Sequence, residues 1–193
     1  MYEIKADRFY LIGNNLALDF VNSIMFDATA ENLAAWAVAV GLISEGDAEQ
    51  SRPKWRPDQL ERISTFRQRL RGMVESLLEN GGISELDIDA VNRILRQGGR
   101  FVELQRTADS FVKRVEIDAT DAANLLVPIA ESFVDLLCYG NLDYLRQCEN
   151  PDCILYFYDT TKNHRRRWCS MAACGNRAKA SKFYKRKKER VVA

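Results

Sequence analysis

Four cysteines near the C-terminal end constrain this chain more than any other feature. Cys148 and Cys153 are separated by four residues, Cys169 and Cys174 by another four, and fifteen residues lie between the pairs. Two short-spaced pairs bracketing a short insert are the arrangement a structural zinc ion requires. Each pair closes a small loop, and the insert folds back so that four thiolates meet around one ion at about 2.3 Å. Asn150-Pro151-Asp152, inside the first pair, is turn chemistry suited to wrapping both sulfurs around a metal. Four thiolates leave no open coordination position, so the single Zn2+ reads as structural, not catalytic. His164, the only histidine, stands beside three arginines and reads as solvated or phosphate-contacting. Cys138, in the apolar run LLCYG, reads as a small buried hydrophobe. Between the pairs, Leu155 to Tyr158 is expected to form a strand, Asp159 to Asn163 its turn, and Arg165 to Trp168 the returning strand.

Charge is segregated along the chain. The whole sequence holds 28 Lys+Arg and 27 Asp+Glu, a net charge of +1. Of these, 12 basic residues and 1 acidic residue follow Thr161, a net of +11, leaving 16 basic and 26 acidic before it, a net of −10. An acidic body with a strongly basic end points to a polyanion partner. Ala172 to Glu189 reads as a helix with Ala180, Phe183 and Tyr184 on one stripe, expected to pack on Trp168 and Phe157. Arg177, Lys179, Lys182, Lys185 and Arg186 occupy its other faces. With Arg165, Arg166 and Arg167 they form the candidate nucleic-acid surface, since neutralising several phosphates releases condensed counterions. Asn176 is a candidate for a phosphate or adenine contact, or for ordering the metal knuckle. The metal would pin the start of this helix, giving a treble-clef-like, zinc-ribbon-like finger that ends in a basic helix.

The body reads as mostly helical, so the fold class is α+β with a mainly helical body and a small β-hairpin. Residues 1–143 form the helical domain and 144–193 the finger. Leu16, Phe20 and Ile24 mark a short amphipathic helix; Thr29, Ser44 and Ser84 are helix caps. The longest helix starts at Pro57 and ends at Asn80-Gly81-Gly82. Phe101 to Leu104 and Phe111 to Ile117 suggest a hairpin, its second strand alternating as if half-buried. A last apolar helix spans about Thr120 to Asn141, with Pro128 kinking it or marking a join. Asp19 and Asn22, polar residues in an apolar run, are candidates for lining a small-molecule effector pocket, or for ordinary structural bonding.

Other classes fall away. No apolar run approaches the roughly 18 to 20 residues of a membrane span, and a basic helix with so narrow an apolar stripe does not suit a membrane surface. The opening MYEIKADRFYLIGNN lacks the pattern of a signal peptide, so a cytoplasmic protein is expected. There is no histidine before residue 164, no phosphate-binding Gly-rich loop and no G-x-S-x-G elbow, so no catalytic residues are assigned.

These residues resemble a known pair of domains. Cys174-Gly175-Asn176-Arg177 is the tetrapeptide that names the CGNR zinc finger, and Asn150-Pro151-x-Cys153, Phe157-x-Asp159-Thr160, Lys162-Asn163 and Arg166-Arg167-Trp168-Cys169 extend the similarity. Leu16-Ala17-Leu18-Asp19-Phe20-Val21-Asn22 resembles the signature of the ABATE domain, which commonly precedes that finger. The resemblance implies a stress-responsive transcription regulator: a zinc-dependent DNA-binding finger, DNA ahead of RNA, with a body that senses an effector or forms a homodimer. The competing readings are an RNA-binding or ribonucleoprotein-associated protein, and an enzyme of unrecognised type tethered by the finger.

Overall fold

The computed structural model describes residues 9–23, 27 and 29–192, with side chains as far as Tyr184. Among the described residues five α-helices come first: α1 (Leu16–Asn22), α2 (Ala30–Ala39), α3 (Glu45–Ser51), α4 (Pro57–Asn80) and α5 (Glu85–Leu95). Local chemistry sets their ends. Asn15 Oδ1 accepts from the Ala17 and Leu18 amides to start α1. Thr29, Ser44 and Ser84 cap α2, α3 and α5 through the amides of Asn32, Asp47 and Asp87. Pro57 opens α4, and Gly81, at φ +73, closes it in the left-handed conformation that glycine adopts without steric cost.

Strands β1 (Arg100–Arg106) and β2 (Phe111–Ile117) form an antiparallel hairpin, with Val102 opposite Val115 and Glu103 opposite Arg114. A 3-10 turn, Ala122–Leu125, leads into α6 (Leu126–Tyr139). Pro128 thus falls in the first turn of α6, where its missing amide costs no intrahelical bond; the join lies just upstream. Two short strands, β3 (Leu145–Gln147) and β4 (Tyr156–Tyr158), pair antiparallel. A single π-type turn, Met171–Gly175, precedes α7 (Asn176–Val192).

The core is organised around α1. Ala17, Leu18, Phe20 and Val21 are at most 1% exposed, and α1 packs against α4, α6 and β4. It is buried on every side, not amphipathic as expected, and Asp19 and Asn22 go inside with it. Ile24 of the expected stripe lies outside the described residues. Phe20, Trp36, Ile63, Leu70, Met73, Ile129 and Phe133 fill the centre, and Leu145 and Tyr156 from the cysteine-bearing region join the same cluster. The stretch Ala122–Tyr139 is long and apolar enough to cross a membrane by length and composition, contrary to the sequence reading. Here Leu126, Val127, Ile129, Ala130, Phe133 and Leu136 are buried, so its apolarity serves the core.

Three further expectations are corrected. The β1–β2 hairpin is not half-buried: apart from Arg100, Gln105 and Ile117, every residue of both strands is exposed. Cys138 is exposed, near the end of α6, rather than in the core. The strand Tyr156–Tyr158 forms, but its partner is the upstream β3; Arg165–Trp168 stays irregular. The cause is Asp159, whose carboxylate gathers the Thr161 amide at 2.9 Å, the Thr161 hydroxyl at 2.6 Å and the Arg166 amide at 2.7 Å. Those bonds curl the chain where a returning strand would have to run.

Candidate metal centre and cationic helix

The four sulfurs of Cys148, Cys153, Cys169 and Cys174 all lie within 4.8 Å of one another. Cys153 Sγ is 3.7 Å from Cys169 Sγ, which is 3.6 Å from Cys174 Sγ. A tetrahedron with zinc–sulfur bonds of about 2.3 Å has edges of about 3.8 Å. A disulfide would bring two sulfurs to about 2.05 Å. The donor set and its spacing therefore fit one structural zinc ion, and these four residues would hold it. When bound, the ion supplies folding energy and no open coordination position.

Two N–H donors point at sulfurs of the knot. Asn150 Nδ2 donates to Cys174 Sγ at 3.3 Å, and the Cys169 amide donates to Cys148 Sγ at 3.3 Å. Burial pushes the Cys153 thiol up to about 11 and raises Cys169 further. At Cys174 burial also raises the pKa, but hydrogen bonds, that of Asn150 first, outweigh it and hold the thiol below its ordinary value. A Cβ on Gly175 would meet Met171 Sδ at 2.5 Å, so a larger residue there would have to swing the exposed Met171 side chain aside. Asn176 donates to the Ala172 carbonyl at 3.2 Å, tying the π-type turn, and its side chain remains exposed.

The three adjacent arginines, alike in sequence, have three different fates. Arg165 is exposed. Arg166 turns inward: its guanidinium lies 4.1 Å from the Phe157 ring centroid. It donates to the carbonyls of Trp168 at 3.0 Å, Ile12 at 3.2 Å and Cys169. Arg167 pairs with Glu149 at 2.5 Å and covers the Trp168 ring at 5.0 Å. His164, at φ +46, stacks on Tyr144 with ring centroids 3.6 Å apart, and its Nδ1 lies 2.9 Å from the Asp159 carbonyl, so its place is structural.

Helix α7 leaves the knot at Asn176. Arg177, Lys179 and Lys182 are exposed. The side chains of Lys185 and Arg186 lie outside the described residues, although the helix backbone runs through both. The aromatic stripe does not pack as expected: Phe183 is 64% and Tyr184 68% exposed. Its intended seats are already taken, because Phe157 is fully buried beneath Arg166 and Trp168 lies under Arg167.

Asp19 and Asn22 are buried and bonded within the protein. Asn22 accepts from the Tyr156 amide at 2.9 Å and donates to the Tyr156 carbonyl at 2.8 Å, acting as an extra strand for β4. Asp19 accepts from the Gly13 amide at 2.7 Å. Burial raises its pKa to about 7, against the lowering pull of the Gly13 and Ile12 amides. A cavity of about 320 Å³ opens beside the knot, lined by Phe9, Leu11, Ile12, Cys153, Cys169 and Arg177 among others, with neither Asp19 nor Asn22 on its wall. Sequence reasoning missed a further clamp. Arg71 of α4 donates to the Ile154 carbonyl at 3.2 Å and the Tyr156 hydroxyl at 3.3 Å, and that hydroxyl donates to Glu75 at 3.0 Å. No local motif marks those residues, which meet only through tertiary packing.

Comparison with known families matches residues 14–140 to the ABATE family, described as "Putative stress-induced transcription regulator". The chain belongs to the ABATE family. Residues 144–187 match the CGNR zinc finger. The two matches meet between α6 and β3; the ABATE part contributes Asn22 and Arg71 to the seat on which the finger rests, and Ile12, just ahead of it, contributes a carbonyl. Among curated proteins none matches this chain.

Proposed function

We propose that this protein is a DNA-binding transcription regulator in which a zinc-organised finger presents a cationic helix to the phosphate backbone, while the ABATE body senses an effector or dimerises. One observation carries the reading. Arg165, Arg177, Lys179 and Lys182 are all exposed around one metal knot, and among the described residues none is paired with a carboxylate. A solvated helix ordinarily mixes charge signs; here Glu189 is the one acid after Thr161. Arg166 is left out of the contact surface, because its guanidinium holds the knot to Ile12.

Titration of labelled duplex DNA and hairpin RNA at two salt concentrations tests this. Duplex binding should weaken steeply with salt, by a logarithmic slope of about 0.9 per phosphate neutralised. Replacing Arg177, Lys179 and Lys182 together with alanine should flatten that slope by roughly 3 units while zinc content stays unchanged. No binding of either nucleic acid at about 50 mM salt would refute the proposal. A clear preference for the hairpin would move the partner from DNA to structured RNA.

A further inference from the structure

Among the described residues of the body, the β1–β2 hairpin carries the densest run of exposed large apolar side chains. Phe101 is 56% exposed, Val102 54%, Leu104 74%, Phe111 61%, Val112 45% and Val115 43%. The register sorts them by face. One face holds Val102 opposite Val115, Leu104 opposite Lys113, and Arg106 opposite Phe111; it carries cations and no acid. The other holds Phe101 opposite Glu116, Glu103 opposite Arg114, and Gln105 opposite Val112. A two-stranded ribbon with both faces wet is marginal alone; three or more strands with a covered apolar face are needed for stability. Such composition is that of strands inside a larger sheet.

We propose that a second copy of this chain covers the hairpin, pairing β2 antiparallel with β2 about a two-fold axis at Val115. Charge selects this edge. The operation sets Arg114 of each copy opposite Glu116 of the other, twice, with Val115 facing itself on the axis, as an isologous contact requires. No register of β1 centred on one of its residues sets opposite charges across the pair, and the central one sets Glu103 against Glu103 and Arg100 against Arg106, which repels. The β2 edge is also accessible: a cleft of about 640 Å³ separates Arg114–Ile117 from the turn around Gly41–Ser44.

The geometry then covers the apolar face. At its base this face turns toward its own body, where Arg100 pairs with Glu131 at 3.1 Å and Ile117 packs on the core. A two-fold normal to the sheet keeps the same face of both hairpins on one side and points each tip toward the other copy's body. Leu104 and Phe111 of one copy thereby reach the partner's body, and Arg106 and Lys113 approach a body whose sequence as far as Thr161 carries a net charge of −10. Val102, Leu104, Phe111 and Val115 with the flanking stems remove on the order of 1,000 Å² from water in the pair, the threshold for a specific interface.

Sedimentation equilibrium of the zinc-loaded full chain across a concentration series reads the outcome. The expected mass is that of a dimer, in a concentration-dependent equilibrium with monomer. Arg114→Glu and Glu116→Arg should each weaken association by roughly ten- to hundred-fold, and the double exchange should restore it. Leu104→Asp should weaken it without touching the paired charges. All three positions are exposed, so zinc content and far-UV circular dichroism should be unchanged. A wild-type chain that stays monomeric throughout overturns the proposal. So does a dimer indifferent to these substitutions, or single exchanges that the double exchange does not rescue. A monomer that still binds duplex DNA with the expected salt slope would leave the regulator reading standing.

Discussion

The body and the finger reach a folded state by different physics. The body buries a continuous apolar cluster from Phe9 to Tyr156, with several large side chains fully enclosed. Among the described residues the finger's own cluster has five buried members, Cys148, Leu155, Phe157, Cys169 and Cys174, and three of them would hold the metal. So small a module cannot offset its chain entropy by burial, and coordination must supply the difference. Yet the two regions are not separate. Tyr156 belongs to the body's core while its strand neighbour Phe157 belongs to the finger's.

The sharpest break of that comparison is loss of metal. Cys153→Ser, or chelation, should release zinc and unfold the chain beyond about Asp159, because structural zinc contributes roughly 10–16 kcal/mol in isolated fingers. Hydrogen exchange should show α7 and the Arg165–Trp168 segment unprotected while α1, α4 and α6 stay protected. Uniform loss of protection across both regions would show that the body, too, depends on the ion. Next in size is Asn22→Ala, which strips two buried hydrogen bonds from the Tyr156 peptide and should cost about 2–4 kcal/mol by denaturant unfolding. Arg166→Lys loses the planar fork that reaches three carbonyls and should cost about 2 kcal/mol, with zinc content preserved.

A further effect, graded by conditions rather than by substitution, concerns pH. Asp19 has a folded pKa of about 7 against 3.8 when unconstrained, so the folded state holds a proton that the unfolded state has already released. Stability should therefore fall as pH rises from about 4 to about 7 and level off above, by at most about 4 kcal/mol. Asp19→Asn should abolish that share of the slope and gain on wild type near pH 8; parallel pH profiles would show that Asp19 does not titrate in this window. At the lower limit, Arg167→Ala removes a solvent-exposed pair with Glu149 and should leave the melting temperature unchanged.

How much of this was readable in the sequence depends on whether the signal is local. Thr29, Ser44, Pro57 and Ser84 announce their helices because a cap acts within one turn. The four cysteines were legible for the same reason, their spacing being a property of short loops. The Asn22–Tyr156 pairing joins positions 134 residues apart and leaves no trace at either end. Arg165, Arg166 and Arg167 are one chemical word with three meanings, and only the curl imposed by Asp159 tells them apart. Alternation in β2 implied a buried face, and among the described residues nothing covers it. The stripe on α7 was read correctly as apolar, but its expected seats were held by arginines.

Helix α7 is also a lever. Its 17 residues span about 25 Å at 1.5 Å per residue, and its fulcrum is a knot of sulfurs fastened to the body through Ile12, Asn22 and Arg71. A tilt of about 10° at that fulcrum carries the far end through roughly 4 Å, more than the 3.4 Å rise between successive base pairs. On the proposed reading, slight repacking beneath Tyr156 would be magnified, at the end of the helix, into a displacement as large as one step along a duplex.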